Sequence, residues 1–128
     1  MNVDNDARSK WDWRALGLAR EVSTWSSCCR DRVGAVVMSP DHDVVSTGFN
    51  DTPRGTANCG EGGCPRAWSL APSGSPQADD EVCLHAEANA LQRAGLNARG
   101  ATLYVTRQPC APCTRSAQTA QVDRIVVG

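Results

Sequence analysis

Apolar residues recur with a helical period near the start of the chain. They fall in steps of four and three residues, at Trp11, Ala15, Leu18, Val22 and Trp25. This spacing places them on one face of an α-helix. The sequence therefore predicts an amphipathic helix from Lys10 to Ser27, with this face packed against a core.

Four short runs rich in β-branched residues predict strands at 33–38, 44–49, 101–106 and 123–127. Turn residues at 39–43 separate the first two runs and predict a hairpin. Two further helices are predicted. One runs from His85 to Ala94 and is ended by Gly95, and the other begins near Cys110, where proline is tolerated in the first turn. Strands that alternate with helices predict an α/β layered sheet.

The segment from residue 51 to about residue 82 is rich in glycine and proline and poor in apolar residues. We expect a long loop there, and a loop of that length in a compact domain is usually functional or held by a local staple. The cysteines inside it could supply the staple. The length of 128 residues predicts that residues 1–128 form a single domain.

Composition narrows the possible partners and the compartment. The net charge of −1 and the 5% content of aromatic residues argue against binding of a nucleic-acid polymer. No apolar run reaches membrane-spanning length, and the polar N-terminus lacks the apolar core of a signal peptide. We therefore expect a cytoplasmic protein with no membrane partner. In that compartment, seven cysteines favour metal ligation over disulfides.

Two short motifs carry the candidate chemistry. His85 is followed two residues later by Glu87, and Pro109 precedes Cys110 and Cys113. A catalytic zinc takes three protein ligands and keeps one position for water, and His85, Cys110 and Cys113 could be those ligands. Glu87 is not needed as a ligand, so it could take a proton from the water and pass it to a substrate. This combination is the signature of zinc deaminases that act on nucleobases.

Simpler interpretations exist for each half of the signature. A C-x-x-C pair alone is often a structural zinc knuckle or a redox pair, and a histidine at a helix start is often a cap. Here one motif opens one helix, the other opens the next, and a single strand lies between them, which favours the deaminase. A zinc-stabilised binding module without catalysis is the alternative, although it would have no use for Glu87.

Together these segments resemble the deoxycytidylate (dCMP) deaminase family of the cytidine deaminase-like superfamily. The resemblance runs from Trp11 to Val127. It rests on the segments Cys28–Val36, Thr47–Asn50, Asn58–Cys59 with Gly63–Cys64, His85–Ala90, Ala101–Thr106 and Pro109–Cys113. It implies a three-layer α/β/α sandwich with a mixed central sheet. It also implies hydrolysis of dCMP to dUMP and a homo-oligomer, commonly a hexamer. Another cytosine nucleoside or nucleotide, free or modified, or single-stranded nucleic acid is the alternative substrate.

The resemblance also suggests binding residues. Asn50 would bond the sugar, Arg107 is the first candidate for the phosphate and Arg54 the second; each could instead be an ordinary turn or surface residue. Ala86 and Thr106 complete the predicted substrate-binding set. A second, structural zinc is implied at Cys28, Cys59, Cys64 and Cys83, with free thiols as the alternative. Cys29 is then a spare thiol.

Two features depart from the family pattern. Asp51 stands where the family usually has glycine, near the site where regulated members bind dCTP and dTTP. Its negative charge predicts weak or absent nucleotide regulation. The chain also stops at Gly128, directly after the fourth predicted strand. We therefore expect a minimal sheet that lacks the fifth strand, or an oligomer neighbour that covers the gap.

Overall fold

The computed structural model describes residues 3–64 and 83–128. The greater part of the predicted long loop, residues 65–82, lies outside them. In this part of the chain the strands are β1 (Val3–Asp4), β2 (Gly34–Met38), β3 (Val44–Phe49), β4 (Thr102–Val105) and β5 (Arg124–Val127). They form one mixed sheet in the order β1-β5-β4-β2-β3. β2 is antiparallel to β3 and β4, and β5 is parallel to β4 and β1.

Among the described residues, three α-helices cover the two faces of the sheet: α1 (Lys10–Ser23), α2 (Ala86–Ala94) and α3 (Ala111–Thr119). Strand β2 shows how the layers form, because successive side chains point to opposite faces. Val36 and Met38 pack in the same cluster as the residues of α1, whereas Ala35 and Val37 pack with those of α2 and α3. The predicted three-layer α/β/α fold with a mixed sheet is confirmed. No helix among the described residues combines the length and the apolar character needed to span a bilayer.

The prediction that a fifth strand is absent is wrong. The fifth strand comes from the N-terminus: Val3 and Asp4 pair in parallel with Ile125 and Val126 of β5. A run of two residues is too short to give a period-two pattern, so the sequence carried no signal for it.

The predicted face and end of the first helix are also partly wrong. The helix ends at Ser23 rather than Ser27. Its buried residues include Ala15 and Val22 as predicted, but Trp25 is 52% exposed. The buried face is rotated because it contains Asp12, which is only 1% exposed. A buried carboxylate requires partners, and the fold supplies them from distant segments.

Asp12 lies at the centre of a polar network between α1 and the sheet. Arg124 donates to both of its carboxylate oxygens, at 3.0 and 2.8 Å, and to Asp4 at 2.6 Å, while the Tyr104 hydroxyl donates to Asp12 at 2.7 Å. Burial alone would raise the pKa of Asp12. The hydrogen bonds from Arg124, the Arg8 main chain and Tyr104 outweigh it and lower the pKa from 3.8 to about 2. The network holds β1, β4, β5 and α1 together.

Gly48 sets the position of the helix that carries the first motif. A Cβ at this residue would lie 2.4 Å from the Ala86 carbonyl oxygen and 2.5 Å from the Ala90 nitrogen. Gly48→Ala would push α2 away from β3. We expect it to lower the free energy of unfolding by about 2 kcal/mol, as measured by urea denaturation.

The matched control is Gly17→Ala, on the exposed face of α1. No heavy atom lies within 4 Å of a Cβ built there, and alanine in a helix interior is favoured over glycine by about 0.5–1 kcal/mol. This variant should therefore gain stability. Equal losses in the two variants would contradict the close approach of β3 and α2.

Candidate active site

The two motifs meet because the two helices that carry them begin at the same end of the sheet. His85 is the residue that precedes α2, and Cys110 is the residue that precedes α3. Both helices lie on one face of the sheet, with β4 between them in sequence. Cys113 lies in the first turn of α3 and is buried. The fold thus brings together the three predicted ligands, which are 28 residues apart at most.

The distances among these side chains match a zinc site. His85 Nδ1 lies 3.6 Å from Cys110 Sγ and 3.3 Å from Cys113 Sγ. The three ligand atoms all lie within 4.8 Å of one another. Two ligands with ordinary Zn–N and Zn–S bond lengths and a tetrahedral angle stand about 3.6 Å apart. The residues present therefore fit a zinc ion.

Glu87 lies beside this group. It is the second residue of α2 and is only 5% exposed. Burial raises the pKa of the Cys113 thiol, and the neighbouring Glu87 carboxylate and Cys110 raise it further. A cation bound here would favour the thiolate form that burial and Glu87 disfavour.

A cavity of about 480 Å³ opens over the group, within the size range of small-molecule sites. His85, Ala86 and Glu87 line it, and all three were predicted site residues. On its other sides it is lined by Asn50, Arg107 and residues that the sequence analysis did not assign: Arg30, Asp31, Val33 and Gln108. They lie in the segments that precede β2 and follow β4. Both segments carry the family resemblance, but that resemblance assigned no role to these four residues.

The Asn50 side chain is tied to the main chain of the loop before β2. Its Oδ1 accepts from the Val33 nitrogen at 2.8 Å, and its Nδ2 donates to the Asp31 carbonyl at 2.7 Å. An amide has one more donor hydrogen and one more lone pair, so a ligand could still be bound. The sugar-binding role of Asn50 stays a prediction.

The other predicted binding residues divide into two groups. Arg107 lines the cavity and forms an ion pair with Asp31 at 2.6 Å. Thr106 and Arg54 are not among the cavity-lining residues. The Thr106 hydroxyl accepts from the Gly34 nitrogen at 3.1 Å, and Arg54 is exposed. Their substrate-binding roles stay predictions.

The second set of cysteines is also brought together. Cys59, Cys64 and Cys83 are buried in one cluster, with Cys28 packed against it. The sulfurs of Cys28, Cys59 and Cys83 lie within 4.8 Å of one another. Burial raises the pKa of Cys83, and the neighbouring Cys59 and Cys64 raise it further. Clustered cysteine sulfurs are the ligands that soft cations prefer.

Asp51 links the segment that follows β3 to the segment that carries His85. It forms an isolated antiparallel bridge with Leu84, the residue directly before His85. Its carboxylate accepts from the Ser27 hydroxyl and, at 2.9 Å, from the Thr52 nitrogen. Asp51 therefore has a local structural role. The weak nucleotide regulation predicted from its charge stays a prediction.

Comparison with known proteins agrees with this geometry. The family described as the cytidine and deoxycytidylate deaminase zinc-binding region matches residues 9–128. The chain belongs to this family. It is 42% identical over 127 residues to the deoxycytidylate deaminase of Mycobacterium phage D29, covering 94% of this chain and 95% of the phage protein.

Two further proteins are similar to this chain: one is a much longer protein and the other is a solved structure. The chain is 42% identical over 112 residues to the deoxycytidylate deaminase of Schizosaccharomyces pombe, covering 86% of this chain but 34% of the yeast protein. Among solved structures, the dCMP deaminase of cyanophage S-TIM5 in complex with dCMP and dUMP is similar, with a TM-score of 0.70 and 26% identity. That similarity covers 96% of this chain and 86% of the phage protein.

Proposed function

We propose that this protein hydrolyses dCMP to dUMP and ammonia. The observation that carries the proposal is the convergence of His85, Cys110 and Cys113 at zinc-ligand distances, with buried Glu87 beside them under a nucleotide-sized cavity. Membership in the deaminase family and the names of the relatives support the same substrate class. The complex of the cyanophage enzyme supports dCMP in particular.

The reaction needs one proton carrier and one activated water. His85, Cys110 and Cys113 would hold the zinc, which when bound lowers the pKa of a water toward neutrality. Glu87 accepts the proton that this water gives up and delivers it to N3 of the cytosine ring while the oxygen bonds to C4. It then takes the proton of the new C4 hydroxyl and delivers it to the amine, which leaves as ammonia as the C4 carbonyl forms. Because Glu87 is buried, bulk water does not compete for that proton.

The substrate is tested by measuring ammonia release from five compounds: dCMP, dCTP, deoxycytidine, CMP and a cytosine-containing single strand. Zinc-loaded protein should release ammonia fastest from dCMP. If ammonia were released fastest from one of the other four compounds, that compound would be the substrate and the mechanism would stand. No ammonia release from any of the five, with zinc bound, would overturn the proposed function.

We also propose a second, structural zinc at Cys28, Cys59, Cys64 and Cys83. Metal analysis of the purified protein should then give two zinc ions per chain. Cys59→Ser should lower the zinc content to about one ion per chain, because a closed four-ligand site loses most of its affinity for zinc when one thiolate is removed.

Cys29→Ser is the matched control, since Cys29 is exposed and lies next to the cluster in sequence. It should keep both ions. One zinc per chain in the unmodified protein would contradict the second site.

We further propose that the protein works as a homo-oligomer in the cytoplasm. Light scattering of the purified protein gives the molar mass directly, and a mass of one chain, 13.6 kDa, would contradict the oligomer.

A further inference from the structure

The mouth of the cavity carries three charged side chains: Arg30, Asp31 and Arg107. Arg107 Nη1 and Asp31 Oδ2 are 2.6 Å apart, with side chains 53% and 50% exposed. Glu87 is the deeply buried acid of the same cavity. Two positive charges and one negative charge leave the mouth with a formal charge of +1. The negative member stands at the entrance, where the reaction at Glu87 has no use for it.

The main chain of Asp31 is held in place by the Asn50 side chain. Its carbonyl accepts from Asn50 Nδ2 at 2.7 Å, while Asn50 Oδ1 accepts from the Val33 nitrogen at 2.8 Å. Asn50, which directly follows β3, thus fixes the position of the loop segment before β2 that carries Asp31. The carboxylate is a fixed charge at the mouth, on the side facing Arg107.

We propose that Asp31 is a specificity-determining residue that limits the substrate to a monophosphate, an inference that rests on the proposed function. A phosphomonoester carries about −1.5 to −2 charges and can share the donors of Arg107 with Asp31. A triphosphate brings further negative charges to the same mouth. Those charges meet the Asp31 carboxylate in partly exposed surroundings, where like charges repel without full screening.

A purely orienting role for Asp31 makes a different prediction. If the carboxylate did no more than hold Arg107, its loss would weaken dCMP and dCTP equally. If it repels additional phosphates, its loss changes the ratio of the two. The ratio of kcat/KM for dCTP to kcat/KM for dCMP therefore separates the roles.

The experiment measures that ratio, as dUTP and dUMP formation, in three proteins at low salt. Asp31→Asn should raise the ratio roughly three- to tenfold over the unmodified protein. Asp31→Glu, which keeps the charge, should retain the original ratio.

Salt provides a second test. Raising the ionic strength screens the Asp31 charge, so the difference in the dCTP to dCMP ratio between Asp31→Asn and the unmodified protein should shrink. An equal ratio in the two proteins at low salt, or a difference that does not shrink as salt rises, would overturn the proposal. If no compound is turned over, the proposed function fails, and the Kd values of dCMP and dCTP by calorimetry in the same proteins decide the role of Asp31 alone.

Discussion

Glu87→Gln should lower kcat for dCMP by about 10³-fold or more, with zinc still bound at the level of the unmodified protein. A glutamine has almost the same shape but cannot accept a proton, and loss of a positioned acid–base group costs about 10²–10⁴-fold. Because Glu87 lies within α2 and beside the ligands rather than among them, the metal site should survive. Steady-state dUMP formation and metal analysis on the same sample give both quantities.

The matched control is Glu21→Gln, since Glu21 is exposed on α1 and lies outside the cavity. It should leave kcat unchanged. If Glu87→Gln kept more than about a tenth of the activity, Glu87 would not be the proton carrier. If its zinc content also fell, Glu87 would contribute to metal binding instead.

The largest expected effect on stability is at Asp12. Asp12→Ala removes the partner that Arg124 contacts through two hydrogen bonds, inside a site where Asp12 is only 1% exposed. Removing one partner of a buried ion pair lowers the free energy of unfolding by about 3–5 kcal/mol. We expect a loss of about 3 kcal/mol at pH 7 by urea denaturation, against no more than about 0.5 kcal/mol for Asp41→Ala on the exposed turn.

The cost should depend on pH in a definite direction. The folded pKa of Asp12 is about 2, below its ordinary value of 3.8, so ionised Asp12 stabilises the fold at every pH above about 4. This stability, about 2 kcal/mol, is lost as the pH falls from 4 through 2. The difference between unmodified protein and Asp12→Ala should therefore shrink over that range. A difference that stays constant down to pH 2 would contradict the ionised network.

Local patterns made much of the structure predictable. The two motifs consist of residues at most four positions apart, and each lies where a helix begins, so the sequence alone could predict that His85, Glu87, Cys110 and Cys113 lie together. The hairpin of β2 and β3 was predictable because a turn separates two β-rich runs. The family resemblance supplied what local patterns do not carry, including the layer order of the sheet.

Long-range polar contacts could not be predicted in the same way. Asp12 and Arg124 are 112 residues apart, and a charged residue in a helix normally predicts an exposed position. The burial of Asp12 is therefore what displaced the predicted apolar face of α1. The position of Asp31 in the cavity lining, paired with Arg107 76 residues away, likewise depends on the fold.

We propose that dCMP deamination depends on a zinc held by His85, Cys110 and Cys113. The most direct measurement follows dUMP formation in one sample as loaded, after chelation, and after zinc is restored. We predict activity that disappears with the metal and returns when zinc is bound again. Activity that persists in metal-free protein, or that fails to appear in zinc-loaded protein, would contradict this role of zinc.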